Sequence, residues 1–171
     1  RVTAMAKRRA HMGILPGLAL DLSGSDDKGK SSDFNDPVQR SKAERLIDEQ
    51  RPVLLIGTPM CTAFRSWQHI NNKKRDPSVV EAERKSGLTH LAWMCKLYAK
   101  QAKAGRLLLH EHPAYATSWN EKCILEILQL KGVRRVTGDQ CQYGQQAENG
   151  EPVMKQIGFM SNCPDILDRL G

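Results

Sequence analysis

The chain has 171 residues, a mass of 19.2 kDa and a mean hydropathy of −0.52. That is about the size of one domain, long enough to bury a core. It is too polar for a membrane span, since no run approaches about 18 apolar residues, and no basic-then-apolar signal segment opens it. With 26 basic against 19 acidic residues, a net charge of +7 and a pI near 9.3, the expected partner is a polyanion, nucleic acid first. Ordinary solubility charge is the plain alternative.

The first residue is Arg1 rather than Met, so the chain reads as a fragment or processed piece. Residues 1–12 suggest a short basic helix, broken by Gly13 and Pro16-Gly17. Leu18 to Leu22 reads as a short strand carrying Asp21, and residues 23–32 as a loop. Asp36 and Pro37 are a cap and a first-turn residue for a helix over Pro37–Gln50. Pro52 to Gly57 is a continuous apolar run with a glycine stop, the pattern of a strand covered on both faces. A long polar connection follows. A helix is then expected over Pro77–Gln101, with Leu88, Leu91, Ala92, Cys95, Tyr98 and Ala102 as its apolar stripe.

A second buried strand is expected over Arg106–Glu111, stopped by Pro113, then a helix over Trp119–Leu130. Val133–Thr137 reads as a strand, residues 138–150 as a loop, Val153–Phe159 as a last strand and Pro164–Leu170 as a last helix. Strands alternating with helices imply an α/β fold with a mostly parallel sheet and helices on both faces. Ligands of such sheets bind beyond the carboxyl ends of the strands. The residues there are Asp21, Thr58-Pro59-Met60-Cys61, His110-Glu111-His112-Pro113 and Gly138-Asp139-Gln140-Cys141.

The five cysteines (61, 95, 123, 141, 163) are odd in number and form no Cys-x-x-Cys pair. This argues against a disulfide framework or a zinc knuckle and for a reducing, intracellular compartment, cytoplasm or nucleus. The histidines show no metal-ligand spacing, and His110 and His112 offer at most a weak metal site around Glu111. No metal is expected. Cys61, exposed by a tight turn after a buried strand and followed by basic residues, is a candidate reactive thiolate, against the alternative of a buried structural cysteine. Glu111, half desolvated at a strand end, is a candidate acid or base, against a capping or salt-bridging acid. Each flanking histidine, taken alone, reads as a solvated loop residue. Trp93 reads as core. Trp67 and Trp119 either stack on a base or plug the junction of loops and sheet. No glycine-rich phosphate loop is present.

Taken in order, these motifs resemble the S-adenosylmethionine-dependent cytosine-5 DNA methyltransferases, in the divergent form of phages and mobile-element polyproteins. That family has a strand followed by Pro-Pro-Cys and Phe-Ser. Here the strand Val53–Ile56 leads into Thr58-Pro59-Met60-Cys61-Thr62-Ala63-Phe64-Arg65-Ser66, with Met60 for the second proline and Arg65 where serine is usual. The family's next strand ends in Glu-Asn-Val; here it ends in Glu111-His112-Pro113. Cys141-Gln142-Tyr143-Gly144, then Lys155-Gln156-Ile157 and Ser161-Asn162, match the Cys-x-Tyr-Gly and later motifs of phage-like members, without the Pro-Thr.

The resemblance implies a Rossmann-like three-layer sandwich and a single methyltransferase-like domain over residues 1–171. Set against the family's motifs, residues 1–171 are expected to be without the first strand, the glycine-rich cofactor loop and a target-recognition domain. It implies Cys61 as nucleophile and Glu111 as the cytosine contact. Asp21, Asp33, Phe34 and Pro59 are implied for S-adenosylmethionine, and DNA as partner. Lys73, Lys74, Arg75, Arg134 and Arg135 are then candidates for binding phosphates without reading sequence. Two other readings stay open: a non-catalytic basic nucleic-acid-binding domain, and a thiol- or carboxylate-dependent hydrolase on a similar sheet.

Overall fold

The computed structural model describes residues 2–20, 32–65 and 75–171. Two compact units divide the chain, Arg1–Pro52 and Val53–Gly171.

In the first unit, α1 spans Val2–Arg8 and a 3-10 turn spans Ala10–Met12, closed by Gly13 at φ +77°. Residues 18–20 form no strand, and Asp21 and Leu22 lie outside the described residues. A short apolar run becomes a strand only where a neighbour satisfies its backbone, and none pairs with 18–20 among the described residues. Helix α2 spans Pro37–Gln50 as the cap and proline require, and the Asp36 carboxylate accepts the Val38 N–H at 2.8 Å.

The second unit is mixed α/β. Four strands, β1 (Leu54–Gly57), β2 (Leu107–Pro113), β3 (Arg134–Asp139) and β4 (Gln156–Ser161), lie in the order β1-β2-β4-β3. β1 and β2 pair in parallel, Gly57 opposite His110. β4 pairs antiparallel with both β2 and β3. β1, β2 and β3 therefore point one way, and their carboxyl ends share one edge. Only one neighbouring pair is parallel, so the sheet is mixed rather than mostly parallel. The reason is the insertion of β4 between two co-directional strands, and the side-chain pattern of a single strand carries no record of its partner's direction.

Helix α3 (Pro77–Lys103) and helix α4 (Lys122–Leu128) follow β1 and β2; the short α5 (Pro164–Leu167) follows β4. The inward face of α3 carries Leu91, Met94, Cys95 and Tyr98, whereas Ala92, expected on that stripe, is exposed. The expected helix over Trp119–Leu130 is a 3-10 turn (Thr117–Asn120) followed by the shorter α4. Period-two alternation in β2 sends Leu108, His110 and His112 to one face. On the other face Leu109, Val136, Ile157 and Phe159 cluster with Leu167 and Leu170 from the α5 segment.

Ser161-Asn162, read above as a family motif, acts as a clamp on β2. Asn162 Oδ1 accepts the Leu108 N–H and its Nδ2 donates to the Arg106 carbonyl, both at 2.9 Å. Ser161 Oγ donates to the Leu108 carbonyl. Asn162→Ala leaves a donor and an acceptor of this segment unpaired and is expected to cost about 2 kcal/mol, measured as a drop in the urea midpoint. An unchanged midpoint refutes the clamp.

Candidate functional site

The site is built at the carboxyl edge shared by β1 and β2. After Gly57 the chain turns through Thr58 and Met60, both exposed, and Pro59, which is buried. Cys61, half-buried, begins a 3-10 turn over Thr62–Phe64 with φ −91° and ψ −5°. Phe64 is 1% exposed and anchors that turn. A Cβ on Gly87 of α3 would stand 3.1 Å from both Ala63 Cβ and the Phe64 ring, so the helix backbone lies directly against the turn. Thr117 Oγ1 donates to the Phe64 carbonyl at 3.4 Å.

His112 braces the same loop from below. Its ring meets Phe64 edge-on at 6.0 Å, and its Nδ1 lies 2.6 Å from Ser118 Oγ. The carbonyls of Pro59 and Met60 act on the ring in the sense that favours its protonated form. With the Ser118 hydroxyl donating to Nδ1, the hydrogen sits on Nε2, the tautomer these carbonyls favour. Nε2 makes no hydrogen bond of good geometry. Beneath it, His110 Nδ1 lies 3.1 Å from the Tyr98 hydroxyl, and its Nε2 has no partner. The two imidazoles stack with centroids 5.5 Å apart, and Trp119 stands edge-on to His110 at 5.2 Å. Burial pushes His110 down to about 3, helped by His112 and Arg135. Burial pushes His112 down to about 4 against the opposing loop carbonyls. Both rings are neutral at pH 7.

The expectation of solvated loop histidines is therefore wrong: His110 is 0% and His112 1% exposed. The missed signal was the period-two continuation Leu108-His110-His112 of an apolar strand. Glu111 lies one residue out of phase and projects from the opposite face, paired across the ladder with Phe159. Burial raises its pKa, and Lys155 opposes that only in part. Among the described residues no group of three or more His, Cys, Asp or Glu is placed to hold a metal.

The remaining candidates have these placements. Asp33 Oδ1 accepts the Asn35 N–H at 2.9 Å, and the Phe34 carbonyl accepts from Arg40, so both belong to the turn into α2. Asp21, Trp67, Lys73 and Lys74 lie outside the described residues. Arg75 forms a two-pronged ion pair with Glu83. Arg134 approaches Asp168 at 3.7 Å. Arg135 lays its guanidinium over the Trp119 ring at 4.0 Å and donates to the Ala114 carbonyl. Trp119 is a buried plug, its Nε1 donating to the Pro113 carbonyl at 2.8 Å. Trp93 is buried as expected.

Among the described residues no helix is long and apolar enough to cross a membrane. Comparison with known protein families, with curated proteins and with solved structures found no match to this chain.

Proposed function

We propose that the chain is a DNA cytosine-5 methyltransferase-like domain, of the mobile-element type and intracellular, on a Rossmann-like three-layer scaffold. The observation that carries this reading is the parallel pairing of β1 with β2. It sets the Pro59-Met60-Cys61 loop beside the end of β2 that carries Glu111, with His112 under the loop and the Glu111 side chain on the other face of the sheet.

The chemistry asked of these residues is an addition to a cytosine swung out of the DNA stack. The Cys61 thiolate forms a bond to ring C6. The electron pair displaced from the C5–C6 bond is accommodated as N3 takes a proton from Glu111, whose O–H bond breaks. A carboxyl whose burial favours the protonated form suits that role. S-adenosylmethionine is the methyl donor that the resemblance implies. Of the residues implied for it, the Asp33 carboxylate and the Phe34 carbonyl are engaged in their own turn, and no step is routed through it. DNA phosphates are assigned to the basic runs, of which Arg75 and Arg135 are already engaged within the chain.

The test uses DNA carrying 2-pyrimidinone or 5-azacytosine at target positions, rings that accept a thiol at C6 without methyl transfer. Intact mass should show a protein–DNA adduct mapped to Cys61. Cys61→Ser should abolish it, and Glu111→Gln should slow its formation by roughly 10²-fold. A folded chain that binds DNA in a salt-dependent way but forms no adduct is the non-catalytic basic domain instead.

A further inference from the structure

The loop that leaves β2 carries an aromatic ring into solvent. Tyr115 is 74% exposed, more than any other Phe, Trp or Tyr among the described residues. The ring is nevertheless held. Its hydroxyl donates to Oε1 of Gln156, the first residue of β4. The backbone beside it is held by the same residue, since the Ala114 N–H donates to the Gln156 carbonyl at 3.1 Å. Arg135 donates to the Ala114 carbonyl. Gln156 is fixed in turn by its pairing with Asp139 at the end of β3. These bonds bury little of the ring. They fix the direction in which an exposed face looks.

Two residues further on, the same loop grips the Cys61 turn. Thr117 Oγ1 donates to the Phe64 carbonyl at 3.4 Å, and the Phe64 N–H donates to the Cys61 carbonyl at 3.0 Å. Two residues span at most about 7 Å of chain, so Tyr115 stands beside that turn. Met60, in the loop that leads into Cys61, is 48% exposed. The loops after β1 and β2 therefore each present a large apolar side chain to solvent on one sheet edge.

We propose that Tyr115 is a stacking platform for an unpaired base of a single-stranded nucleic acid, and that Gln156 orients it. The proposal rests on the nucleic-acid reading above and names what the site takes, a base out of its duplex. Every base offers a π-face, so stacking on this ring tolerates any sequence. Holding the ring beforehand spares part of the ordering cost that a free side chain meets on binding. A protein surface is the other class of partner for an exposed tyrosine. The net charge of +7 favours the polyanion.

The experiment measures fluorescence anisotropy of a labelled thymidine strand of about 12 nucleotides, and of an equally long strand whose sugars carry no bases. Tyr115→Ala should weaken binding of the thymidine strand roughly tenfold and leave binding of the baseless strand unchanged. The slope of log affinity against log salt should stay the same, because no phosphate contact is lost. Tyr115→Trp keeps a ring and should keep the affinity. Gln156→Ala frees the ring and should cost about threefold. Equal affinity of the parent and Tyr115→Ala for the thymidine strand overturns the platform, as does an equal loss on both strands. If the parent still forms the Cys61 adduct in that case, the platform alone has failed. A parent that binds neither strand overturns the nucleic-acid reading as well and assigns the ring to a protein contact.

Discussion

Acidification from pH 7 to pH 5 is expected to remove about 4 kcal/mol of the stability of the Val53–Gly171 unit through His110 and His112 alone. Above the ordinary histidine value of 6.5 both rings are neutral in the folded and the unfolded chain, and neither contributes. Below it the unfolded chain binds two protons that the folded chain refuses, because the buried rings titrate only near 3 and 4. Stability therefore falls with pH by about 1.4 kcal/mol per unit for each ring, and levels off only below those two values. Set against a usual total of about 5–15 kcal/mol, the loss at pH 5 is large.

Glu111 works in the opposite direction. Its raised pKa lets the folded chain take up a proton before the unfolded chain does, in a window above 4.5. The comparison is accordingly made in a Glu111→Gln background. Urea midpoints at pH 7 and pH 5 should separate strongly there, and should converge when His110 and His112 are replaced by glutamine and asparagine. Equal midpoints in the histidine-bearing chain mean that the rings are hydrated in the native state and the buried pair is wrong.

Gly57→Ala is expected to destabilise the unit by about 3 kcal/mol. A Cβ at this position runs into the Tyr98 hydroxyl and the Met94 methyl. Met94 can swing its end away. Tyr98 cannot, because its ring is fully buried and its hydroxyl is held at 3.1 Å by His110 Nδ1. Removing that hydroxyl opens the space, so Tyr98→Phe should recover a kcal/mol or more in the Gly57→Ala background while costing about 1 kcal/mol alone. Strictly additive losses in the four-protein cycle refute the collision. Gly57 is the last residue of β1 before the Cys61 loop, so the alanine variant should also slow adduct formation on the activated cytosine analogue.

The two long helices were legible because local chemistry specifies them. Asp36-Pro37 and Asp76-Pro77 each supply a cap and a helix-compatible proline, and both helices begin there. β1 and β2 were legible as continuous apolar runs. β4 was expected at Val153–Phe159 and lies at Gln156–Ser161. Val153 has strand propensity, but its N–H bonds the Gln145 carbonyl in a loop, so pairing outweighed propensity. At the site, the position of Cys61 just after β1 followed from the run that precedes it, whereas β2, expected to end at Glu111, runs on through Pro113 because β4 pairs with it there. The buried histidine pair was not legible, because a polar residue at an apolar phase was read by its type rather than its phase. Arg135 misled for the same reason. It alternates with Thr137 along β3 on the face of His110 and His112, where it covers Trp119 instead of presenting a free cation.

The strand that is last in sequence sits inside the sheet, between β2 and β3. During synthesis on the ribosome, β2 and β3 emerge with no neighbour to join them, and their exposed edges wait until Ser161 can pair with Leu109 and Arg134. Such long-range pairing slows folding and leaves unpaired strand edges open to other chains in the meantime. A gene copy with a stop codon before residue 156 would therefore not yield a slightly shortened domain. It would yield a β3 with no partner, a β2 paired only with β1, and a sticky product fit for proteolysis, so the integrity of the sheet depends on residues 156–161.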